Sequence, residues 1–297
     1  MHFFKPERIY LTVIERKNKL DLTRHLALLF DKKRRTESDN MIKRNLIKHN
    51  LFKIILLAAA FALSLVCELT FASAGATYVL TASKKRELPV YSVERTDKRV
   101  SISFDCAWGT EYTDEILDNL DRYGVKCTFF AVQFWVEKYP DYAKKIVERG
   151  HEIETHSATH SHMSKLSEEQ IKNELIKSSQ AIESATGQKV TLFRCPFGEY
   201  DDKVILTARS LGLQVVQWDV DSLDWKDLSA ADIAARVTKR TESGSIILCH
   251  NNGLNTAKAL PLIFTALQEK GYEFIPISQL IYNENYEIDA NGRQIPI

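Results

Sequence analysis

Glycine and proline are scarce in this chain, at 11 and 7 of 297 residues. So few turn formers exclude a collagen-like chain, a linker-rich chain and an architecture of repeated tight turns. An excess of either charge is missing too. Forty Lys and Arg stand against 39 Asp and Glu, a net charge of +1, so nothing points to nucleic acid as a partner, since a phosphate-binding domain carries a strong basic surplus. Long hydrophobic runs are absent after the first quarter, which excludes a polytopic membrane protein. What remains, 44% hydrophobic and 27% charged residues, is the composition of a soluble globular protein. The length allows one large domain with an extension, or two small ones. The five cysteines do not read as a disulfide framework: Cys67 lies in an apolar segment, Cys127 opens a strand, and Cys106, Cys195 and Cys249 each sit inside a polar motif.

The neutral total conceals an asymmetry. Residues 1–53 contain 14 Lys and Arg but six acids, and the uncharged run Ile54–Cys67 follows directly. Glu68 ends that run, and Ala72-Ser-Ala74 then supplies an Ala-x-Ala pattern. A basic region, an apolar stretch of this length and small residues after it are the parts of a secretory signal. Counted from Leu51 the segment reaches 17 residues, the lower limit for spanning a bilayer, so a retained anchor is the alternative. Both readings leave the basic side in the cytoplasm and the rest outside. The expected organisation is a basic cytoplasmic tail over 1–50 (with Met41 as a second candidate start), a signal peptide or membrane anchor over 51–74, a polar linker over 75–98, a domain over 99–285 and a tail over 286–297.

Within the domain, short β-branched runs alternate with amphipathic stretches. Strands are expected at 100–105, 127–132, 151–154, 190–193, 214–217, 245–248 and 273–275. Helices are expected at 113–122, 139–148, 167–186, 203–211, 230–241 and 256–270, the third opened by the capping pattern Ser167-Glu-Glu-Gln. Such alternation implies a parallel sheet with crossover helices, and this many units suggests closure into a barrel. In barrels the chemistry belongs at the carboxyl ends of the strands, and there the polar residues gather.

Asp105 ends the first strand; alone, an Asp after a strand is more often a turn residue. His156-Ser-Ala-Thr-His160 follows the third, and two His four apart share one face of a helical turn, a spacing that lets both reach one metal. Nearby His162 reads better as a solvated loop residue. Arg194 leaves the fourth strand; if it points inward it must be paired, and Asp105 is the natural partner. Asp219, Asp221 and Asp224 crowd the next strand end and repel one another unless donors or cations hold them. The apolar strand Ser245-Ile-Ile-Leu248-Cys249-His250 ends in an imidazole that becomes a proton donor if an acid stands beside it.

Taken in order, these five clusters resemble the NodB-type polysaccharide deacetylases, carbohydrate esterase family 4, over about Tyr91–Tyr282. Three phrases are similar to the sporulation-type (PdaB-like) branch: Ser103-Phe-Asp-Cys-Ala-Trp-Gly109, Gln217-Trp-Asp-Val-Asp-Ser-Leu-Asp-Trp-Lys-Asp227 and Pro276-Ile-Ser-Gln-Leu-Ile-Tyr282. The resemblance implies an α/β fold, a distorted (β/α) barrel of the NodB-homology type, preceded here by one apolar amino-terminal helix. It implies a metal-dependent hydrolase that removes N-acetyl groups from cell-wall or spore-wall glycan, peptidoglycan or chitin-like. Residue by residue, it makes Asp105 the base, Arg194 its orienting partner, His250 the general acid and Asp224 the carboxylate that keeps His250 charged. His156 and His160 become ligands of a divalent metal, zinc, weakly bound. The Phe197 backbone N–H becomes an oxyanion donor, and Trp225 and Leu248 line a slot for the acetyl methyl.

Cys106 departs from the pattern, because most of the family has a second Asp there as a metal ligand. Either Cys106 is a thiolate ligand, which suits zinc, or it is a small apolar filler. Cys195 and Phe197 stand where the family commonly has Pro and Tyr. Two functions follow: an active amidase, which retention of Asp105, Arg194, Asp224 and His250 favours, or a glycan-binding or structural relative without metal, which Cys106 favours.

Overall fold

The computed structural model describes residues 86–297 and, ahead of them, the helix α1 (Leu46–Val66) with Asp31, Arg34, Met41, Lys43 and Arg44. The Ala-x-Ala pattern, Cys67 and most of the basic tail lie outside the described residues. Helix α1 has 21 residues of mean hydropathy 1.9, long and apolar enough to cross a membrane. At 1.5 Å per residue it extends about 31 Å, close to the thickness of the hydrocarbon core.

The domain is built on one parallel sheet. Its strands are β2 (Arg99–Cys106), β3 (Thr128–Ala131), β4 (Glu152–Thr155), β5 (Leu192–Phe193), β6 (Gln214–Val215), β7 (Val220–Asp221), β8 (Ile246–His250) and β9 (Glu273–Phe274). Their order is β6-β5-β4-β3-β2-β8-β7, with β9 paired to the start of β2. Among the described residues β6 and β7 share no ladder, so the curled sheet forms a distorted, open barrel. The crossovers are carried by α2 (Thr113–Arg122), α3 (Gln133–Lys138), α4 (Pro140–Glu148), α5 (Glu168–Thr186), α6 (Asp202–Ser210), α7 (Ala230–Arg240) and α8 (Thr256–Glu269).

Period-two alternation along β2 sorts the interior. Val100, Ile102, Phe104 and Cys106 enter the large core beneath the helices, packed with Ile116, Leu120, Ile146 and Phe264. Ser101, Ser103 and Asp105 face inward, in register with Ile246, Leu248 and His250 of β8. A smaller apolar plug of Phe130, Leu192, Val216, Ile246 and Ile277 fills the inside. Asp105 and His250 are therefore neighbours on one face at the carboxyl end of the sheet. Helix α5 starts as its sequence requires: the Ser167 hydroxyl accepts from the Gln170 N–H, and the Gln170 side chain accepts from the Ser167 N–H.

Several segments differ from expectation. Residues 156–160 are not a helical turn but a loop, in which Ser157 and His160 take positive φ of 77° and 56°. The Thr155 hydroxyl accepts from the Ser157 N–H and folds this loop back after β4. The expected linker contains β1 (Ser92–Val93), which pairs with β11 (Arg293–Pro296), itself hairpinned to β10 (Tyr286–Ile288). The expected tail 286–297 is thus part of a second, three-stranded sheet.

Gly244 secures β1 to the barrel. It has φ of 84°, its N–H donates to Arg99 O, and its carbonyl accepts from Val93 N at 2.9 Å. A Cβ there would lie 1.7 Å from Val93 O, whereas one at Gly187 (φ 73°), behind α5, would meet nothing within 4 Å. Gly244→Ala is expected to lower the unfolding free energy by at least about 2 kcal/mol, and Gly187→Ala by about 1 kcal/mol. Urea unfolding of the two variants checks this; equal losses would show that the close approach carries no weight.

Candidate active site

Arg194, which follows β5, is fully buried and is among the largest side chains that are. Its Nη1 donates to Asp105 Oδ1 at 2.9 Å and to Ser103 Oγ at 2.8 Å, while Nη2 donates to Gln217 O. The guanidinium also lies over the Phe130 ring, 4.1 Å from its centroid. Burial alone would push the Asp105 carboxyl up, but the His156, Arg194 and His250 side chains hold it below the usual carboxylate range. Asp105 is ionised, buried and aimed at the mouth.

Across β8, His250 Nδ1–H donates to Asp224 Oδ1 at 2.7 Å. The other Asp224 oxygen accepts from the His250 backbone N–H and from the Thr256 hydroxyl. Burial opposes a charge on His250, yet the bond to Asp224 and the charges of Asp224, Asp105 and Asp221 raise its pKa above the ordinary imidazole value. The repulsion expected among the acids of this loop is relieved donor by donor. Asp219 accepts from Ser245 Oγ and Ile246 N, Asp221 from Leu223 N, and Asp224 from three groups. Gly253 makes room for the last cluster, since a Cβ on it would sit 2.1 Å from Thr256 Oγ1 and 3.0 Å from Asp224 Oδ2. Thr256 and Gly253 escaped sequence reasoning because nothing local in the chain ties them to Asp224, and the part of Ser103 escaped because nothing local ties it to Arg194.

Of these groups Asp105, Asp221 and His250 line one cleft of ≈ 500 Å³, with Ala107, Trp108, His156, His160, Phe197, Trp218, Trp225, Leu248 and Asn252. Phe197, Trp225 and Leu248, singled out from the sequence, all lie in its wall. Phe197 has φ of 59°, a left-handed conformation that is strained for a bulky residue. Its ring stacks on His162 at 4.4 Å, and His162 Nδ1 bonds Glu199 Oε2 at 2.7 Å. His162 is an exposed loop residue, as expected, held by these two contacts.

Cys106 lies elsewhere. It follows Asp105 on the strand and so points the opposite way, fully buried in the core with Sγ 3.7 Å from Phe104 O. Burial pushes its thiol well above the ordinary value, so a thiolate ligand at this position is not what the fold provides.

Residues 92–216 match the family model described as polysaccharide deacetylase. Over 196 residues the chain is 33% identical to a peptidoglycan-N-acetylglucosamine deacetylase of Bacillus cereus, covering 64% of this chain and 92% of that one. The chain belongs to the polysaccharide deacetylase family. It is also 33% identical over 211 residues to the peptidoglycan-N-acetylglucosamine deacetylase PgdA of Listeria monocytogenes, covering 71% of this chain but 44% of that protein. Among solved structures, the carbohydrate esterase family 4 pseudoenzyme BA3943 of Bacillus anthracis is 36% identical with a TM-score of 0.63, over 65% of this chain and 68% of that one. A mutant of BA3943 with restored enzymatic activity matches at 37% identity, with the same TM-score, over 65% of this chain and 70% of that one.

Deacetylases of this family use a divalent metal, and the donors here can be tested against one. His156 Nδ1–H donates to Arg194 O at 2.8 Å, which fixes the tautomer and leaves Nε2 facing Asp105 Oδ2 at 3.5 Å. The His160 ring is 5.0 Å from that of His156. Burial lowers both pKa values, to about 4 for His160, so both imidazoles are neutral, as metal ligation requires. As a pair of nitrogen donors they fit a divalent cation. Among the described residues no group of three His, Cys, Asp or Glu is arranged to hold a metal, so the pair is less than the three protein ligands of a zinc hydrolase. Zinc titration by calorimetry is expected to show weak binding that His156→Ala abolishes. Cys106→Ala should change the affinity less than about threefold while removing roughly 1 kcal/mol of stability. Loss of zinc binding in Cys106→Ala would refute the packing role.

Proposed function

We propose that this protein hydrolyses the acetamido group of an N-acetylated wall glycan, with peptidoglycan N-acetylglucosamine as the first candidate substrate. The observation that carries the reading is the juxtaposition of an ionised Asp105 and a readily protonated His250 on paired strands, each held by its own counter-charge. A carboxylate base beside an imidazolium acid is what amide cleavage needs, because the amine departs only once protonated. The relatives named as peptidoglycan deacetylases support the substrate class.

The roles proposed are those the family resemblance implies, and the geometry is compatible with them. Asp105 takes the proton of the attacking water, and Arg194 keeps the carboxylate ionised and oriented. The Phe197 N–H, turned by the left-handed backbone, donates to the oxygen that gains charge in the tetrahedral intermediate. His250 Nε2–H gives its proton to the sugar nitrogen as the C–N bond breaks, with Asp224 holding Nδ1–H. Acetic acid and a free amine leave, the acid giving its proton to the amine or to solvent, and the proton on Asp105 returns to His250. Leu248 and Trp225 bound the space for the acetyl methyl. His156 and His160 would hold a divalent cation, zinc by donor chemistry, which would polarise the carbonyl and acidify water.

Helix α1 is a membrane anchor or signal in this reading, the domain acts outside the cytoplasmic membrane, and the PdaB-like phrases assign it to spore-wall remodelling. Two specific observations favour a second reading. Cys106 faces the core, and the BA3943 pseudoenzyme is similar to this chain, so a glycan-binding relative without activity is the alternative.

Acetate release from chitopentaose and from peptidoglycan separates the two, and a glycan bound without any acetate would favour the second. The pH profile tests the acid directly. His250 stays protonated to higher pH than a free imidazole, so activity persists until pH rises through its raised pKa. Asp224→Asn removes the nearest of the three acids that face His250, Asp105 and Asp221 being the others. The alkaline limb of kcat/KM should then move down by roughly 1–3 pH units; an unmoved limb would remove His250 from the acid role.

A further inference from the structure

The proposed chemistry uses His156 and His160, yet the loop that joins them is strained. Ser157 and His160 both take positive φ, 77° and 56°, backbone that residues other than glycine keep only when the surrounding structure over-determines it. Here the determination comes from helix α5, which is itself fixed by burying Ile171, Leu175 and Ile182 in the core. Glu174 and Ser178, four residues apart on one side of that helix, reach the loop at two points. Ser178 Oγ accepts from the Thr155 hydroxyl at 2.6 Å, and Thr155 Oγ1 accepts from the Ser157 N–H at 3.2 Å. Glu174 Oε2 accepts from the N–H groups of Ala158 and Thr159 at 3.0 and 2.8 Å, and its Oε1 accepts from the Thr159 hydroxyl at 2.9 Å.

Successive backbone N–H groups that converge on one oxygen make an anion-binding nest, and the anion that fills this one is a side chain of the same protein. The loop then closes on itself, because the His160 N–H donates to Ser157 Oγ at 3.1 Å. The two imidazoles depend on this arrangement differently. His156 is fixed through its ring, by the Nδ1–H bond to Arg194 O. His160 has edge-on contacts with Trp108, His156 and Phe197, and its place follows from the backbone that carries it. That backbone is what Glu174 holds.

We propose that Glu174 is a positioning residue for His160, keeping the second imidazole in the place from which it joins His156 on a divalent cation. Glu174 touches neither substrate nor cation and acts only through the Ala158 and Thr159 N–H groups. Its consequence for metal affinity rests on the metal reading of the two histidines given above. A contribution to the stability of α5 alone is the competing account.

Zinc titration by calorimetry, with NMR of the histidine rings in the metal-free full-length protein, distinguishes the two on wild type, Glu174→Ala, Glu174→Gln and Glu183→Ala. Glu183 lies on the same helix, and its Oε1 accepts from the Val190 N–H, away from the loop. Its removal therefore reports the loss of a comparable α5 bond. Glu174→Ala should weaken zinc binding by about tenfold or more and shift the His160 ring signals further than those of His156. Glu174→Gln keeps an oxygen for both N–H groups and should recover most of the affinity. Glu183→Ala should leave both readouts as in wild type. Unmoved His160 signals in Glu174→Ala, no recovery in Glu174→Gln, or an equal loss in Glu183→Ala would overturn the proposal. Zinc bound equally by wild type and Glu174→Ala would also overturn it, while leaving the metal reading intact. A wild type that binds no zinc, with His160 signals that still move in Glu174→Ala, would uphold the positioning role and sink the metal reading alone.

Discussion

Removing a guanidinium from water is tolerated only when opposite charge and hydrogen bonds replace most of its hydration, and Arg194 meets that condition inside the barrel at Nη1 and Nη2, through Asp105, Ser103 and Gln217, while Nε is buried without a hydrogen-bond partner. Much of the mouth follows from this one requirement. To meet Arg194, the inward residues of β2 must be Ser103 and Asp105, which sets the face that β2 shows to β8 and brings His250 alongside. The same alternation sends Cys106 outward. The Arg194 carbonyl then accepts from His156 Nδ1–H, so the residue that holds the carboxylate also orients the nearer imidazole. Two charges that would be a liability in a dry interior become the fixed point around which the loops are placed.

A second, independent clamp mirrors the first. Asp224 is buried, accepts from three donors and transfers its order to His250. Each reactive group is thus held by a partner that does not itself need to move. The environments also separate the two titrations, because Arg194 favours the anion of Asp105 and Asp224 favours the cation of His250. Opposed displacements of this kind are how one cleft keeps a base and an acid ready at the same pH.

Much of this was legible in the chain. Helix Thr113–Arg122 and the capping box before α5 stand where periodicity and capping chemistry put them, and all five polar clusters lie at strand ends. What escaped is physically intelligible. Helix α3 follows β3 after a single residue and has no side-chain cap, so its apolar residues read as a continuation of the strand. Strand β7 has two residues, too few for any period. The pairing of β1 with β11 spans some 200 positions, and nothing local announces it. The direction of Cys106 was available in principle, since two successive strand residues cannot face the same way. The His156–His160 spacing misled because a loop with two left-handed residues, not a helix, brings the rings together.

The central claim is that the Asp105–Arg194 pair organises the mouth as a unit. A thermodynamic double-mutant cycle with Asp105→Ala, Arg194→Met and the double variant, followed by urea unfolding, tests it most directly. Each single change should cost about 3–5 kcal/mol by stranding a buried charge, and the double variant should lose at least about 2 kcal/mol less than the sum of the singles. Additivity within about 0.5 kcal/mol would contradict the account.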